Sequence, residues 1–546
     1  MHQTNRRKDY TWLWLFLLSI AVRLPYLRTA QVLQTEGTTY VTLARNLLEH
    51  GRYVGILGET ELVMTSILPH LIALLGWVLG DVVLAGRVLS LLASALLVIP
   101  VYLLGRDMFS PRTGLWAALL LVGHPYLVAY SPLIRVEAPF LLLWLFGVYA
   151  TWRSLQQGPG HGWNVGVPLF FGGAYLLKSE GAVYFALSWL LLLGFWLYRG
   201  YGRDALAILF LQGTLFLLIT APMVLWLSRQ TGRFTLDTKG IVNYTIAHRI
   251  AEGRDYHRAA YGLGPEGSPA GPLLDRNQLV RLGVGYKRPM PEEPAYRRAW
   301  VRVILREGQL LLWPLLGRWW LLFGLIGVAL ALVRGRVAGV LFPLWYLLPA
   351  FFGVSTILFV WTRYLLPVVP LVALWVGYTV DVVAEVVGWG IDMPWLSRRR
   401  VYGFVGLGLV LFLLWTHPYT RPAWNLLHQV PDLELREAGW WLREFDPSPD
   451  KRIMSTTSQV PYYAQGIHVP MPVDDPDQIL RYAQRRRVRY VVISETKDRG
   501  RPAAVWLDPR QAPEGWKVIY TKGDKGHRVV IYRLPEGDCG CGGQSP

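Results

Sequence analysis

A chain of 546 residues that is 53% hydrophobic and only 17% charged, with a mean hydropathy of +0.29, is too apolar for a soluble enzyme, which carries roughly a quarter charged residues. Its formal net charge of +18 comes from 55 Lys and Arg against 37 Asp and Glu. Long apolar blocks such as Val82 to Gly105 push that charge into connecting loops, so the chain reads as a polytopic membrane protein and not as a nucleic-acid binder.

Eleven spans are predicted, at 11–27, 82–104, 113–130, 137–152, 164–178, 181–198, 205–227, 311–333, 337–352, 364–386 and 401–417. With the N-terminus inside, thirteen basic residues fall at cytoplasmic ends: Arg6, Arg7, Lys8, Arg106, Arg112, Arg153, Arg199, Arg203, Arg334, Arg336, Arg398, Arg399 and Arg400. The short outer connections hold only Arg135, Lys178 and Arg363, an asymmetry that fixes the orientation. An odd number of spans then puts the C-terminus outside. Ile67–Gly80, at 14 residues, is short for a crossing and is expected to lie as a helix on the outer surface; if it crossed, every later loop would invert. The first span, with Arg23 near its outer end, reads as a retained helix because no clear small-residue cleavage site follows it.

The expected fold is a multi-pass α-helical membrane protein with a C-terminal extracytoplasmic α/β domain. Residues 1–424 form the membrane unit, with outer loops at 28–81 and 228–310. The second loop is rich in Gly, Pro and charge and should be mostly loop with short helices. From 425 to 535, helix-like segments (ELREAGWWLREF, DPDQILRYAQRRR) alternate with strand-like ones (RIMSTT, RYVVISE, WKVIYT, HRVVIYRL). No GxGxxG or GKS/T loop occurs there, and the basic run Arg485–Arg489 reads as a solvated or lipid-facing helix end. Residues 536–546, with Cys539 and Cys541, form a flexible tail, and two cysteines supply no disulfide framework.

The first outer loop contains TEGTTYVTLARNLLEHG. Tyr40, Leu43, Ala44, Leu47 and Leu48 fall on one helix face, Thr42, Arg45, Asn46 and Glu49 on the other, and Gly51 stops the helix. Such a helix lies on the membrane surface. Thr38 is its predicted N-cap, which sets Glu36 just ahead of the positive helix end, where an ionised carboxylate is favoured. A carboxylate there can accept a proton from a hydroxyl; an ordinary loop acid is the other reading. Glu137 and Glu180 each follow a basic residue by two positions, which fits ion pairing with Arg135 and Lys178 as well as contact with sugar hydroxyls. Arg135, Lys178 and Arg363 sit at outer span ends, where they either hold a lipid phosphate or snorkel to headgroups. Lys239, Tyr40 and Tyr364 complete the substrate-contact candidates, since aromatic rings also stack on sugars. His70 and His124 read as structural.

EGTTYVTLARNLL resembles the first-loop signature of the GT-C-type membrane glycosyltransferases that use polyprenyl-phosphate sugars, among them the protein O-mannosyltransferases and lipid A aminoarabinose transferases. The resemblance runs on through 85–143, LLKSEGAVYF (176–185), RYLLPVVPLVAL (363–374) and the C-terminal domain, and is weakest at 228–310. It implies an inverting transfer of one sugar from a polyprenyl-phosphate donor to an acceptor hydroxyl on the outer side of the cytoplasmic membrane. Glu36 would be the base, and Lys178, Arg363 and Arg135 would hold the donor phosphate. The acceptor is a glycolipid, a polysaccharide or a protein. The family pattern has an Asp-Glu pair in this loop; here the first acid is Glu36 and the second position is Gly37. That change leaves any divalent-metal role without its second acid, so no metal ligand is assigned and no cofactor is called for, while a divalent metal stays an open reading. Two other readings stay open. One is an oligosaccharyltransferase or ligase using a diphosphate-linked glycan, and the other is a secondary transporter or lipid flippase.

Overall fold

The computed structural model describes residues 9–264, 271–283, 293–390, 397–428, 430–524 and 526–535. The expectation for the tail with Cys539 and Cys541 lies outside these residues. The chain is mostly helical. In order it forms α1 (Thr11–Arg23), α2 (Thr35–His50), α3 (Leu68–Leu79), α4 (Val82–Leu96), α5 (Val98–Met108), α6 (Pro111–Val122), α7 (Pro125–Ala129), α8 (Glu137–Gln157), α9 (Trp163–Leu177), α10 (Glu180–Tyr198) and α11 (Gly202–Thr231). The loop region at 228–310 contributes α12 (Lys239–Ala251), α13 (Tyr256–Tyr261), α14 (Arg276–Leu282) and the 18-residue α15 (Glu293–Leu310). Then come α16 (Gly317–Val333), α17 (Val337–Ser355), α18 (Val368–Gly390), α19 (Arg398–Trp415) and α20 (Thr420–His428).

Every predicted span coincides with helix, yet among the described residues six helices are long and apolar enough to cross a bilayer, against eleven expected: Thr11–Ala30, Val82–Met108, Glu180–Tyr198, Gly202–Thr231, Val337–Ser355 and Val368–Gly390. Shorter apolar helices make up much of the difference. At 1.5 Å per residue, the 15 residues of α9 reach roughly 22 Å, short of a ~30 Å hydrocarbon core. The 12-residue α3 is shorter still, consistent with a helix that does not cross. α18 is buried along most of its length against α6, α16 and α19. The close approach needs glycine: a Cβ on Gly377 would lie 2.7 Å from the Ala117 amide nitrogen. Small residues at such crossings let helix backbones meet where water supplies no driving force.

Two local expectations change. α2 begins at Thr35, three residues before the predicted cap, with Gln34 in the extended N-cap conformation. The Thr38 hydroxyl turns back to the Thr35 carbonyl (2.8 Å), so Glu36 belongs to the first helical turn. The helix is also more covered than a surface helix, with Thr38, Thr39, Val41, Leu43 and Ala44 all buried. Its predicted stop holds: Gly51 takes φ 65°, the left-handed region that ends helices. Arg23, the last residue of α1, is fully buried. It donates to Ser19, Ser94 and the Leu121 and Val122 carbonyls at the end of α6.

The last fifth of the chain continues with α21 (Leu433–Phe445), β1 (Arg452–Ser455), α22 (Gln459–Tyr463), β2 (Ile467–Pro470), α23 (Pro476–Arg485), β3 (Tyr490–Ser494), α24 (Glu495–Asp498), β4 (Lys517–Lys522) and β5 (Val529–Arg533). The five-stranded sheet has the order β2-β1-β3-β5-β4. β1 is parallel to β2 and β3, while β5 pairs antiparallel with β3 and β4. Apolar clusters cover both faces, one around Trp506 and Tyr532, the other around Leu435 and Leu442. β2 is the strand not foreseen, a four-residue edge segment ending in Pro470.

Candidate active site at converging helix ends

Several helix ends meet at one place. Glu36 lies in the first turn of α2, Glu137 opens α8 and Glu180 opens α10, three N-termini whose dipoles favour carboxylates. Lys178 is the extended residue between α9 and α10. Arg363 and Tyr364 stand in the 3-10 turn Thr362–Leu365 that leads into α18. Lys239 opens α12, whose start is tied to the first loop. There the Thr238 hydroxyl donates to the Leu62 carbonyl, the Leu62 N–H donates to Asn277 Oδ1 (2.9 Å), and buried Glu61 pairs with Arg276.

The charges form a continuous network. Arg363 Nη1 binds Glu36 Oε1, and its Nε lies 3.5 Å from Glu137 Oε1. Arg135 Nε approaches the other Glu36 oxygen at 3.9 Å. Lys178 Nζ pairs with Glu180 Oε1 at 3.2 Å. Tyr364 presents its ring to both Arg363 (5.5 Å) and Lys178 (5.6 Å). Glu36, Tyr40, Glu137, Lys178, Glu180 and Lys239 line one cavity of about 610 Å³. Arg363 and Tyr364 line an adjoining one of about 410 Å³ that shares Glu137, Lys178 and Glu180. All nine residues singled out in the sequence thus come together. An apolar groove of about 1030 Å³, lined by Leu47, Ile67, Leu176, Ile219 and Trp226, meets the first cavity at Thr65 and Met223.

Burial raises the Glu36 carboxyl, but the charges of Arg363, Arg135 and Lys239 outweigh it and carry the group down to about 2. Burial, together with the Glu36 and Glu137 charges, holds Tyr40 well above the usual phenol range, so it stays neutral. Burial works against the Lys239 charge, and Tyr364, Glu180 and Glu36 more than restore it. The site is therefore a cation-rich cavity with fixed ionic partners. Arg135 Nε and Arg363 Nε are buried donors that meet the Glu36 and Glu137 carboxylates only at ion-pair distance and have no hydrogen-bond partner among the described residues.

Sequence reasoning missed Asp237. It lines the same cavity and accepts from the Lys239 and Gly240 N–H groups at 3.2 and 2.6 Å, while burial raises its carboxyl. The signal was present as an Asp two residues ahead of a lysine that opens a helix. Gly37 explains the missing second acid. A Cβ there would meet Ile134 and Leu33 at 3.6–3.7 Å, so the position faces packed side chains and not the charges. Among the described residues no three His, Cys, Asp or Glu come together as metal ligands, and the guanidinium of Arg363 already bridges Glu36 to Glu137. This donor set does not fit a divalent cation. His70 stacks on Tyr53 (5.5 Å), and His124 is buried with Nε2 on the Leu315 carbonyl (2.8 Å).

Residues 65–226 match the family model of dolichyl-phosphate-mannose-protein mannosyltransferases. No curated protein sequence matches the chain. Among solved structures, the apo oligosaccharyltransferase of Archaeoglobus fulgidus superposes with a TM-score of 0.61 at 14% identity, covering 97% of this chain and 75% of that one. The same archaeal enzyme, AglB, with an inhibitory peptide and a dolichol-phosphate gives 0.60 at 13% identity, covering 97% and 74%. ArnT from Cupriavidus metallidurans bound to undecaprenyl phosphate gives 0.55 at 14% identity, covering 97% and 99%. The chain has the GT-C fold of these membrane glycosyltransferases, as the first-loop signature implied.

Proposed function

We propose that this chain is an inverting glycosyltransferase that moves a single sugar from a polyprenyl-phosphate carrier to an acceptor hydroxyl. The observation that carries the reading is Glu36, an ionised carboxylate sharing one site with Arg135, Lys178, Lys239 and Arg363. In the transfer step the acceptor oxygen attacks the anomeric carbon, the bond from that carbon to the phosphate oxygen breaks, and its electron pair stays on the phosphate. The acceptor proton goes to Glu36. A phosphate leaving group needs no acid, only fixed positive charge where its charge grows, and the four cations supply it.

Held at about 2 by two guanidiniums, Glu36 is a poor base in the empty site. A donor phosphate competes for the same guanidiniums. As Arg363 and Arg135 turn to the phosphate, Glu36 regains the basicity that proton transfer needs. Donor binding thus precedes and enables activation of the acceptor. The apolar groove at Trp226 is the seat assigned to the prenyl chain, because it opens onto the charged cavity.

Domain organisation and orientation follow from the same reading. Residues 1–424 form the membrane-embedded catalytic unit, and 425–535 form a second unit that shapes acceptor access. The thirteen basic residues expected at cytoplasmic ends, against three at the short outer connections, support a reading in which the site and the sheet face the outside of the cytoplasmic membrane. Likeness to AglB favours a second reading, in which a preassembled glycan is transferred from a diphosphate carrier. Purified protein in nanodiscs, given polyprenyl-monophosphate sugars and diphosphate-linked oligosaccharides with envelope acceptors, separates the two. Transfer of one sugar with inverted anomeric configuration from a monophosphate supports the proposal. Transfer from diphosphate donors alone overturns it.

A further inference from the structure

Helix α2 carries Glu36 in its first turn, yet Gln34 at the N-cap gives it no side-chain hydrogen bond. Its start is instead held by side chains from a distant segment, residues 458–463, at the start of α22 between β1 and β2. The Leu33 N–H, just before the helix, donates to the Tyr463 hydroxyl at 2.9 Å. Ser458 Oγ lies 2.6 Å from Thr38 Oγ1 and 3.2 Å from the Thr35 carbonyl. With Ser458 donating to Thr38 and Thr38 to Thr35 O (2.8 Å), one relay satisfies all three oxygens. Two turns further along, Arg45 Nη2 donates to the Tyr462 hydroxyl at 3.1 Å, and its guanidinium sits 5.5 Å from that ring. Ser458 and Thr38 are 1% and 0% exposed, so this contact excludes water.

The segment is itself held from behind. Gln459 Nε2 donates to Asp432 Oδ2 at 3.0 Å, and Lys497 Nζ pairs with Asp432 Oδ1 at 2.6 Å. Gly439 on α21 leaves no room for movement, since a Cβ there would come within 2.5 Å of the Tyr463 Cβ. On its other side the start of α2 packs against Ile134, the neighbour of Arg135.

We infer that Ser458 and Tyr463 are positioning residues for Glu36, through which the sheet region fixes where α2 begins and where its carboxylate points. The inference rests on the reading of Glu36 as the base. Geometry makes it consequential: each residue lost from a helix start moves the register by about 1.5 Å along the axis, and a ~1 Å misplacement can cost ~10²-fold in rate.

The test uses the full chain in nanodiscs with Ser458→Ala, Tyr463→Phe and Glu36→Gln. The expected result is kcat lowered ~10–100-fold in the first two, with the donor KM within about twofold of wild type. Their kcat/KM profiles should also gain an acid limb in the ordinary carboxylate range, because a loosened Glu36 leaves Arg363; a merely structural loss would not move it. Wild-type kcat and pH profile in Ser458→Ala and Tyr463→Phe, with Glu36→Gln inactive, overturns the inference and spares the base. An active Glu36→Gln overturns the base itself. Hydrogen exchange on the unmodified chain decides the matter if the variants do not fold. The Leu33 amide should be protected as strongly as the β3 amides, and exchange at loop rates would overturn the proposal.

Discussion

Arg363 Nη1 binds Glu36 Oε1, joining the turn before α18 to the first turn of α2, so neither group is free while the other holds it. Under the proposed function, the donor phosphate has to break this pair. Replacing Arg363 by Gln removes charge-assisted bonds worth about 1.5–3 kcal/mol each and should raise the donor KM or Kd roughly 10- to 100-fold. Arg363→Lys should fall between the two, because an ammonium keeps the charge and loses the fork that spans Glu36 and Glu137. Titration with polyprenyl phosphate alone reads the effect without catalysis.

The same pair predicts a split between two pH profiles. The folded Glu36 carboxyl is depressed to about 2, so its stabilising contribution is present above the ordinary carboxylate range and lost only as pH falls toward 2. The kcat/KM for donor, which reports the free enzyme, should show no Glu36 limb between pH 5 and 8. The kcat profile reports the donor complex, where the guanidiniums have turned to phosphate, and its acid limb should lie at higher pH. Steady-state rates from pH 3 to 8 measure both limbs, and coincident limbs would contradict the exchange of partners.

Glu307 on α15 offers a test of stability outside the site. Its side chain is buried, and neither carboxyl oxygen has a hydrogen-bond partner among the described residues. Burial raises the group to about 7. A raised acid binds its proton more tightly folded than unfolded, so stability falls as pH rises through 7. Glu307→Gln should raise Tm at pH 8 and leave it nearly unchanged at pH 4, below the ordinary carboxylate value, where Glu307 is protonated folded and largely protonated unfolded. Equal shifts at both pH values would contradict this account.

Much of the site was legible because it is built at helix ends. Span prediction locates helix termini, and Glu36, Glu137, Lys178, Glu180 and Arg363 all stand at one. Their convergence is a tertiary fact, visible in the sequence only through family resemblance. Asp237 was missed because its environment is made by α12 and the loop from 51 to 66 folding together. The start of α2 was misjudged because propensity favours Thr38 as a cap, whereas the true start is held by Tyr463 and Ser458 from the far end of the chain. The burial of Arg23 was not legible for a related reason: hydropathy cannot show that the carbonyls ending α6 will receive a buried guanidinium. β2 is too short and too near a proline to announce itself.

The most direct test of the central claim is transfer by Glu36→Gln beside its binding of polyprenyl phosphate. The amide keeps the side-chain shape, removes the base and releases Arg363 and Arg135. The account predicts transfer lowered ~10²–10⁴-fold with phosphate-lipid binding retained or tightened. Full transfer by the variant would remove Glu36 from the mechanism.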